Sequence, residues 1–310
     1  MTTTSSVGEA PAPPMRRERI PQAILFMVSA GFVFAISSAI SKWLVATYPV
    51  GEVLFTRASI SLVSLGLFIL PSAGLAVFHT RRPGAHILRG VSQTTSQTLL
   101  MNAFSLMPLA SATAINFSAP LFATLASIVF LRESVGRARW TALIVGFLGV
   151  LLVTSPGADT VQIGALYALA NAVLFGTVTA GVRGMTATES TGTLAMYQML
   201  VMSIAYALML AFGFVTPSLH DALLMLINGL TNALGQYWWT RSLHLAPTAA
   251  VAPFQYLSLV WALIIGFAVW GDVPTAALLV GSAIVVGSGI VLFWRESRRS
   301  AVPEEVTEVV

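Results

Sequence analysis

The chain has 310 residues, of which 56% are hydrophobic and only 9% are charged, and it contains no cysteine. A soluble protein of this composition could not cover its surface with polar groups, so the composition predicts an integral membrane protein, and the lack of cysteine excludes disulfides and thiol chemistry. The net charge of +4 does not indicate nucleic-acid binding, because the basic residues are scattered over short loops and form no stripe.

The two ends of the chain are polar. Residues 1–19 and 297–310 are rich in Thr, Ser, Pro and charged residues and contain too few apolar residues to build a core. We expect both stretches to be disordered tails.

Ten apolar segments lie between the tails, and each is close to the length that crosses about 30 Å of hydrocarbon. They cover residues 22–43, 52–72, 86–106, 109–131 and 139–154, and then residues 162–181, 192–214, 219–241, 247–269 and 274–294. The connections between them are short and marked by Pro and Gly, which leaves no room for a soluble domain. The sequence therefore predicts an all-α membrane protein with ten transmembrane helices.

The basic residues predict the orientation of these helices. Fourteen of the 16 Lys and Arg residues fall on one side of the predicted membrane, and the exceptions are Lys42 and Arg57. The positive-inside rule then places both termini in the cytoplasm.

The chain also contains an internal repeat. Gln93 and Gln97 lie one helical turn apart, as do Asn232 and Gln236, and both 232 minus 93 and 236 minus 97 give 139. The same shift relates Asn116 to Gln255 and Phe117 to Tyr256. Five segments per half is an odd number, so the halves at residues 20–155 and 160–295 are expected to be inverted relative to each other. An inverted repeat favours a transporter that works by alternating access over a static channel.

Polar side chains inside a bilayer are costly, so a duplicated set predicts a substrate site where the repeats meet. The predicted polar lining of a central cavity is Gln93, Gln97, Asn116, Asn228, Asn232, Gln236 and Gln255. The alternative is that these amides join helices to each other, an interaction of about 0.6 kcal/mol on average. Amides both donate and accept hydrogen bonds, which suits a polar neutral or zwitterionic substrate.

Aromatic side chains crowd the second half at similar depth. Tyr197, Tyr237, Tyr256 and Trp261 are predicted to form a cavity wall on which a planar heteroaromatic ligand could stack. The alternative for such residues is an aromatic belt at the membrane interface.

Three further residues are singled out inside the segments. Arg57 lies about five residues into the second segment, and it is either a gate or anchor for an anionic group or an arginine that snorkels to the interface. Pro120 and Pro253 interrupt the fourth and ninth segments and are candidate hinges, since a lost backbone hydrogen bond is tolerated only inside protein or beside a cavity.

The sequence resembles the EamA type of the drug/metabolite transporter superfamily. The resemblance is carried by SLMPLASATAINFSAP at residues 105–120, FLRE at 130–133 and GFLG at 146–149, with a weaker echo in APFQY at 252–256, WGD at 270–272 and GSG at 287–289. It implies a ten-helix secondary transporter of the bacterial inner membrane that moves small organic metabolites through a central cavity without ATP. HILRG at 86–90 and APFQYL at 252–257 most resemble carriers of riboflavin or S-adenosylmethionine, and amino-acid exporters are the alternative.

An enzyme is the competing class. The sequence has no zinc-protease or phosphate-loop motif, and its four histidines lack the spacing of metal ligands. An intramembrane enzyme is therefore a remote alternative, and we expect neither a metal nor another cofactor. The expected partners are a small-molecule substrate and the lipid bilayer, and the chain is expected to be a monomer or a homodimer.

Overall fold

The computed structural model describes residues 19–80, 82–131, 137–154, 159–182, 185, 189–246 and 248–300. The regular secondary structure in these ranges is helical. It comprises α1 (Ile20–Val45), α2 (Val50–Ala73), α3 (Pro83–Leu106), α4 (Leu109–Asn116), α5 (Ala119–Leu131), α6 (Arg137–Val153), α7 (Asp159–Val182), α8 (Thr191–Met209), α9 (Leu219–Leu245), α10 (Thr248–Gln255), α11 (Leu257–Trp270) and α12 (Ala276–Ser300). Short 3-10 helices at Gly74–Phe78 and Leu210–Phe212 extend α2 and α8.

The helices repeat with the shift found in the sequence. A shift of 139 residues carries both bounds of α4 onto those of α10, and it carries α1, α2, α3, α5 and α6 onto α7, α8, α9, α11 and α12 to within a few residues, apart from the longer end of α12. The fourth and ninth apolar segments are each split into two helices, at corresponding places. The duplication therefore extends from single residues to the order and breaks of the helices.

One boundary differs from the prediction. α12 continues to Ser300, so residues 297–300 are helical and do not belong to a disordered tail. The last turns of α12 hold Arg295, Arg298 and Arg299, and arginine is both a good helix former and favourable near a helix C-terminus. The remaining predicted tails, residues 1–18 and 301–310, lie outside the described ranges.

Many of the helices are apolar. By length and composition, four are suited to crossing a membrane: Ile20–Val45, Val50–Phe78, Gly192–Phe212 and Pro253–Trp270. Shorter apolar helices lie at Leu109–Leu125, Trp140–Val153, Ile163–Thr177 and Ala276–Leu292. Large apolar side chains such as Leu67, Leu166 and Leu208 point outward, which is the arrangement expected for contact with lipid tails.

Several helix pairs that pack between the halves have a counterpart pair related by the repeat. α1 packs on α9, and the corresponding pair α7 and α3 also packs together. The same holds for α2 with α9 and α8 with α3, and for α1 with α11 and α7 with α5. α2 packs on its counterpart α8, and α6 packs on its counterpart α12. Exchanging the halves leaves this pattern unchanged, as in an isologous two-fold interface.

Hydrogen bonds join the halves at both ends of the bundle. At one end, Thr80 in the turn between α2 and α3 donates to Glu189 Oε1 over 2.7 Å, just before α8 begins. At the other end, Tyr48 between α1 and α2 donates to Asp221 Oδ2 over 2.8 Å in the first turn of α9. Glu52 also accepts there from the backbone N–H of Val215 over 2.9 Å.

Glycine allows α6 and α12 to pack backbone against backbone. A Cβ added at Gly281 would lie 2.8 Å from the carbonyl oxygen of Gly149 and 2.7 Å from Cγ2 of Val153, both in α6. Gly287 lies in the same helix, but a Cβ there would meet nothing within 4 Å. The close approach of the two helices therefore depends on Gly281 and Gly149, as small residues do in membrane helix pairs.

We expect Gly281→Leu to destabilise the protein by about 1–3 kcal/mol, because the new side chain forces α6 and α12 apart. The thermal unfolding midpoint of the purified protein in detergent measures this effect. Gly287→Leu is the matched control, since it makes the same substitution in the same helix at an open position. An equal fall in the midpoint for both variants would contradict the assigned packing.

Candidate functional site

The candidate site begins with the one cationic residue of α2. Arg57 is buried, with 6% of its surface exposed, and it lies about 10 Å along the helix from its first residue. Its Nη2 donates to Oε1 of Gln97 in α3 over 2.9 Å. The structure thus brings together two of the residues predicted for the site.

One helical turn further along α2, Ser61 contacts the second half. Asn232 in α9 donates from Nδ2 to Ser61 Oγ over 2.9 Å, and Ser61 Oγ donates to the carbonyl oxygen of Gly229 over 2.9 Å. A Cβ at Gly229 would clash with Ile60, so glycine lets α9 lie close to α2 here. Asn232 therefore lies at the contact between the halves, one turn from Arg57 along α2.

Asn228 lies one turn earlier in α9 and is fully buried. Its Oδ1 accepts from Ser37 over 2.6 Å, and its Nδ2 donates to Ser41 Oγ over 2.9 Å, both in α1. Since both ends of the amide are engaged within the protein, Asn228 joins α1 to α9.

A third polar contact between the halves includes a residue that the sequence analysis missed. Asn171 in α7 donates to Oδ1 of Asn116 over 2.6 Å, and its Oδ1 accepts a short hydrogen bond from Ser96 in α3. Asn171 and Ser96 are each only 2% exposed. Asn171 occurs alone in its segment, without a polar neighbour at helical spacing, so the repeat pattern did not reveal it.

The remaining predicted amides differ from these. Gln93, Gln236 and Gln255 are partly exposed, and within the described parts of the chain their side chains make no hydrogen bond. Gln93 lies one turn from Gln97 on the same face of α3, and Gln236 lies one turn from Asn232 on α9. Their amide groups are therefore not engaged by the described part of the protein.

The two broken helices meet between the halves. The rings of Phe117, at the break between α4 and α5, and Tyr256, at the break between α10 and α11, pack edge to face with centroids 4.9 Å apart. These residues are repeat mates, so a residue here touches its own counterpart. This contact therefore joins corresponding positions of the two halves.

The prolines lie beside these breaks. Pro120 is the second residue of α5, and Pro253 lies in the last turn of α10. Proline has no backbone N–H, so neither residue can donate to the carbonyl four positions earlier. A proline therefore removes one helical hydrogen bond close to each break.

Tyr237 and Tyr256 lie at two different cavities. A cavity of about 200 Å³ between α2, α8 and α9 is lined by Tyr237, Phe68 and Ser190, and the rings of Tyr237 and Phe68 are 5.0 Å apart. A second, mainly apolar cavity of about 300 Å³ between α11 and α12 is lined by Tyr256 and Pro253.

Trp261 and Tyr197 lie apart from both cavities. Trp261 packs against Phe32 of α1 with ring centroids 5.0 Å apart, and its buried Nε1 has no hydrogen-bond partner among the described residues. Tyr197 lies next to the turn between α2 and α3, where it donates to the carbonyl of Phe78 over 2.7 Å and stacks on His86. The structure therefore does not bring all of the predicted aromatic residues into one wall.

Comparison with known proteins gives the chain a family. The EamA-like transporter family matches residues 21–155 and again residues 162–294, which are the two halves. A riboflavin transporter of Rhizobium johnstonii is 29% identical over 90% of this chain and 93% of its own length. An S-adenosylmethionine uptake transporter of Rickettsia bellii is 27% identical over 84% of this chain and 90% of its own. A pseudopaline exporter of Pseudomonas aeruginosa is 28% identical over 88% of this chain and 96% of its own.

A solved structure has the same fold. It superposes with a TM-score of 0.61 at 21% sequence identity and covers 91% of this chain and 99% of the other.

Two family matches, one in each half, together cover most of the chain, which confirms the resemblance found in the sequence. The protein is a multi-pass membrane protein that belongs to the EamA-like transporter family.

Proposed function

We propose that the protein is a secondary transporter that moves a small organic metabolite across the bacterial inner membrane by alternating access. In this proposal ten membrane spans form two inverted halves, with the fourth span made of α4 and α5 and the ninth of α10 and α11. Both termini are cytoplasmic, in agreement with the distribution of Lys and Arg. The proposal is supported by the family and by relatives that are named as transporters.

The hydrogen bonds at the bundle ends support the inversion. The turn between α2 and α3 lies beside Glu189, whereas the corresponding turn of the second half, between α8 and α9, lies beside Tyr48 at the other end. Equivalent turns on opposite ends are expected when one half enters the membrane from the opposite side.

One observation carries the proposal: repeat mates touch where two broken helices meet. Irregular backbone at membrane depth is tolerated only inside protein or beside a cavity, and transporters place substrate sites at such breaks between repeats. The contact of Phe117 with Tyr256 lies at these breaks. Pro120 and Pro253 would serve as hinges that allow each span to bend at its break.

The proposed substrate site lies around the polar residues beside this contact. Gln93, Gln236 and Gln255 would contact the substrate directly, and Arg57 with Gln97 would serve as gate or anion anchor. Asn116, Asn232 and Asn228 hold the helices around the site through the bonds described above. Tyr237, Tyr256 and Trp261 would supply aromatic surface, and Tyr197 would act at the closure of one end.

The favoured substrate is a heteroaromatic compound of cofactor size, of the riboflavin or S-adenosylmethionine type. The relatives with these names and the aromatic side chains near the site both support this class. The alternative is an aromatic or neutral amino acid, exported by a protein of the same fold. Amide groups suit either class, because both contain donors and acceptors.

Transport in proteoliposomes tests the function. We expect saturable uptake of labelled riboflavin or S-adenosylmethionine. We expect the triple variant Gln93→Ala, Asn232→Ala and Gln236→Ala to reduce the initial rate by about tenfold or more, since two amides that contact the substrate are lost and Asn232 no longer holds α9 on Ser61 beside the site. Gln162→Ala, outside the proposed site near the start of α7, is the control for amide loss. Wild-type rates in a normally expressed triple variant would contradict the site, and uptake of amino acids alone would favour the alternative substrate.

A second experiment separates helix joining from substrate binding. We expect Asn228→Ala to lower the thermal unfolding midpoint, because it leaves buried serine hydroxyls without their partner at a cost of about 1–2 kcal/mol. Gln236→Ala is expected to leave the midpoint unchanged, since its side chain makes no bond to lose. Ligand-induced stabilisation measured on both variants completes the test: it should persist in Asn228→Ala and weaken in Gln236→Ala.

A further inference from the structure

Arg57 has no counter-charge in contact with it among the residues that the structure describes. Among the described residues no carboxylate oxygen lies within 4.0 Å of its guanidinium, and its one hydrogen bond is to the neutral amide of Gln97. Glu52, the acidic residue nearest to it in α2, is bound to the backbone of Val215. A cation buried in a membrane protein without a counter-charge costs several kcal/mol.

The guanidinium also keeps unused donors. It has five N–H groups, and only Nη2 is engaged. Several described side chains have a fully enclosed polar atom without a partner, including Glu52, His86 and Tyr256, but no nitrogen of Arg57 is among these atoms. Among the described residues, the remaining N–H groups of this buried guanidinium have no hydrogen-bond partner.

We propose that the transported solute carries one carboxylate, which pairs with the free edge of the Arg57 guanidinium. This inference rests on the proposed transport function and narrows its substrate class. A planar guanidinium binds a carboxylate through two parallel hydrogen bonds, and the pair would neutralise the buried charge. Gln97 accepts from one of the two N–H groups of Nη2, so the other N–H of Nη2 and a neighbouring nitrogen of the guanidinium are left to the ligand.

The charge balance points to a single negative charge. The other described cations near the interior are already engaged, since Lys42 donates to the carbonyls of Phe104 and Met107 over 3.0 and 2.6 Å. Arg89 donates to Oε1 of Gln198 over 2.7 Å. The one guanidinium at the proposed site is matched by a monoanionic carboxylate, whereas a phosphate with about two negative charges would stay partly unbalanced.

The proposed substrates differ in whether they contain a carboxylate. S-Adenosylmethionine and amino acids contain an α-carboxylate, whereas riboflavin is neutral. Gln93 lies one turn from Gln97 on α3 with its amide unbonded, so it is placed to contact polar groups next to the carboxylate. The site therefore favours a solute that joins a carboxylate head to a planar ring.

The test compares solutes that differ only at this group. Wild-type protein in proteoliposomes is given labelled S-adenosylmethionine, L-tryptophan and riboflavin, and each transported solute is competed with L-tryptophan or with L-tryptophanamide, in which the carboxylate is replaced by an amide. We expect the inhibition constant of L-tryptophanamide to be about tenfold or more higher than that of L-tryptophan, in line with the strength of a charge-assisted hydrogen bond. This ratio of the two inhibition constants should fall to about one in Arg57→Gln and should be intermediate in Arg57→Lys.

Arg89→Gln is the matched control, because Arg89 is likewise an arginine whose Nη2 donates to a glutamine, but at the end of the bundle beside the α2–α3 turn. It should leave the ratio at its wild-type value. The ratio of inhibition constants does not depend on the amount of folded protein. If Arg57→Gln does not fold, the ratios measured for the wild type and for Arg57→Lys still test the carboxylate inference.

The outcomes are distinct. Riboflavin uptake that neither carboxylate solute inhibits would overturn the carboxylate inference and leave the transport proposal standing. An unchanged ratio in Arg57→Gln would also overturn it. If wild-type protein transports none of the solutes and none competes or stabilises it, the proposed function fails, and the inference fails with it.

Discussion

The structure depends on one constraint: in hydrocarbon, every backbone N–H and C=O needs a partner within the protein. Two spans violate the simplest solution, an unbroken helix, because each contains a proline next to a break. Such breaks are tolerated only where other helices enclose them. The contact of Phe117 with Tyr256 brings the two breaks together, so that each half covers the irregular backbone of the other. The association of the halves thus follows from the same prolines that divide the spans.

The duplication holds for the order and bounds of the helices to within a few residues, but it does not hold for the charged residues. The shift that carries α4 onto α10 carries Arg57 onto Met196, which is buried and apolar. It also carries Gln97, the partner of Arg57, onto Gln236, whose side chain makes no bond among the described residues. In the proposed transporter, two similar halves would supply the shape needed for alternation, while the residues that diverged would supply the chemistry of the site. A single cation at the proposed site would give a bound carboxylate one preferred orientation.

Part of this arrangement could be predicted from the sequence. Apolar length predicts the segments, and proline marks the neighbourhood of the breaks after α4 and α10, because both act locally along the chain. The hydrogen-bond partners of the polar side chains could not be predicted in the same way. The serines that bind Asn228 lie about 190 positions earlier in the chain, and they meet it only because of the rotation and crossing of α1 and α9.

Tyr197 illustrates the same limit. Its position in an apolar segment was consistent with a cavity wall, yet its hydroxyl is bound to Phe78 near a turn, since its depth depends on where α8 begins. Hydropathy is insensitive to a shift of one helical turn, about 5.4 Å, which is enough to move a ring from a central site to a bundle end.

The bonds at the two ends bear on how the proposed alternation could occur. One end is closed by the bonds of Glu189 with Thr80 and of Arg89 with Gln198, and the other by the bonds of Tyr48 with Asp221 and of Glu52 with Val215. Each end thus has a small number of hydrogen bonds, worth about 0.5–3 kcal/mol each depending on charge. In the proposed alternation, opening either end would break these hydrogen bonds. A ligand whose binding at the centre differs by only a few kcal/mol between the two open forms is sufficient to shift the balance between them.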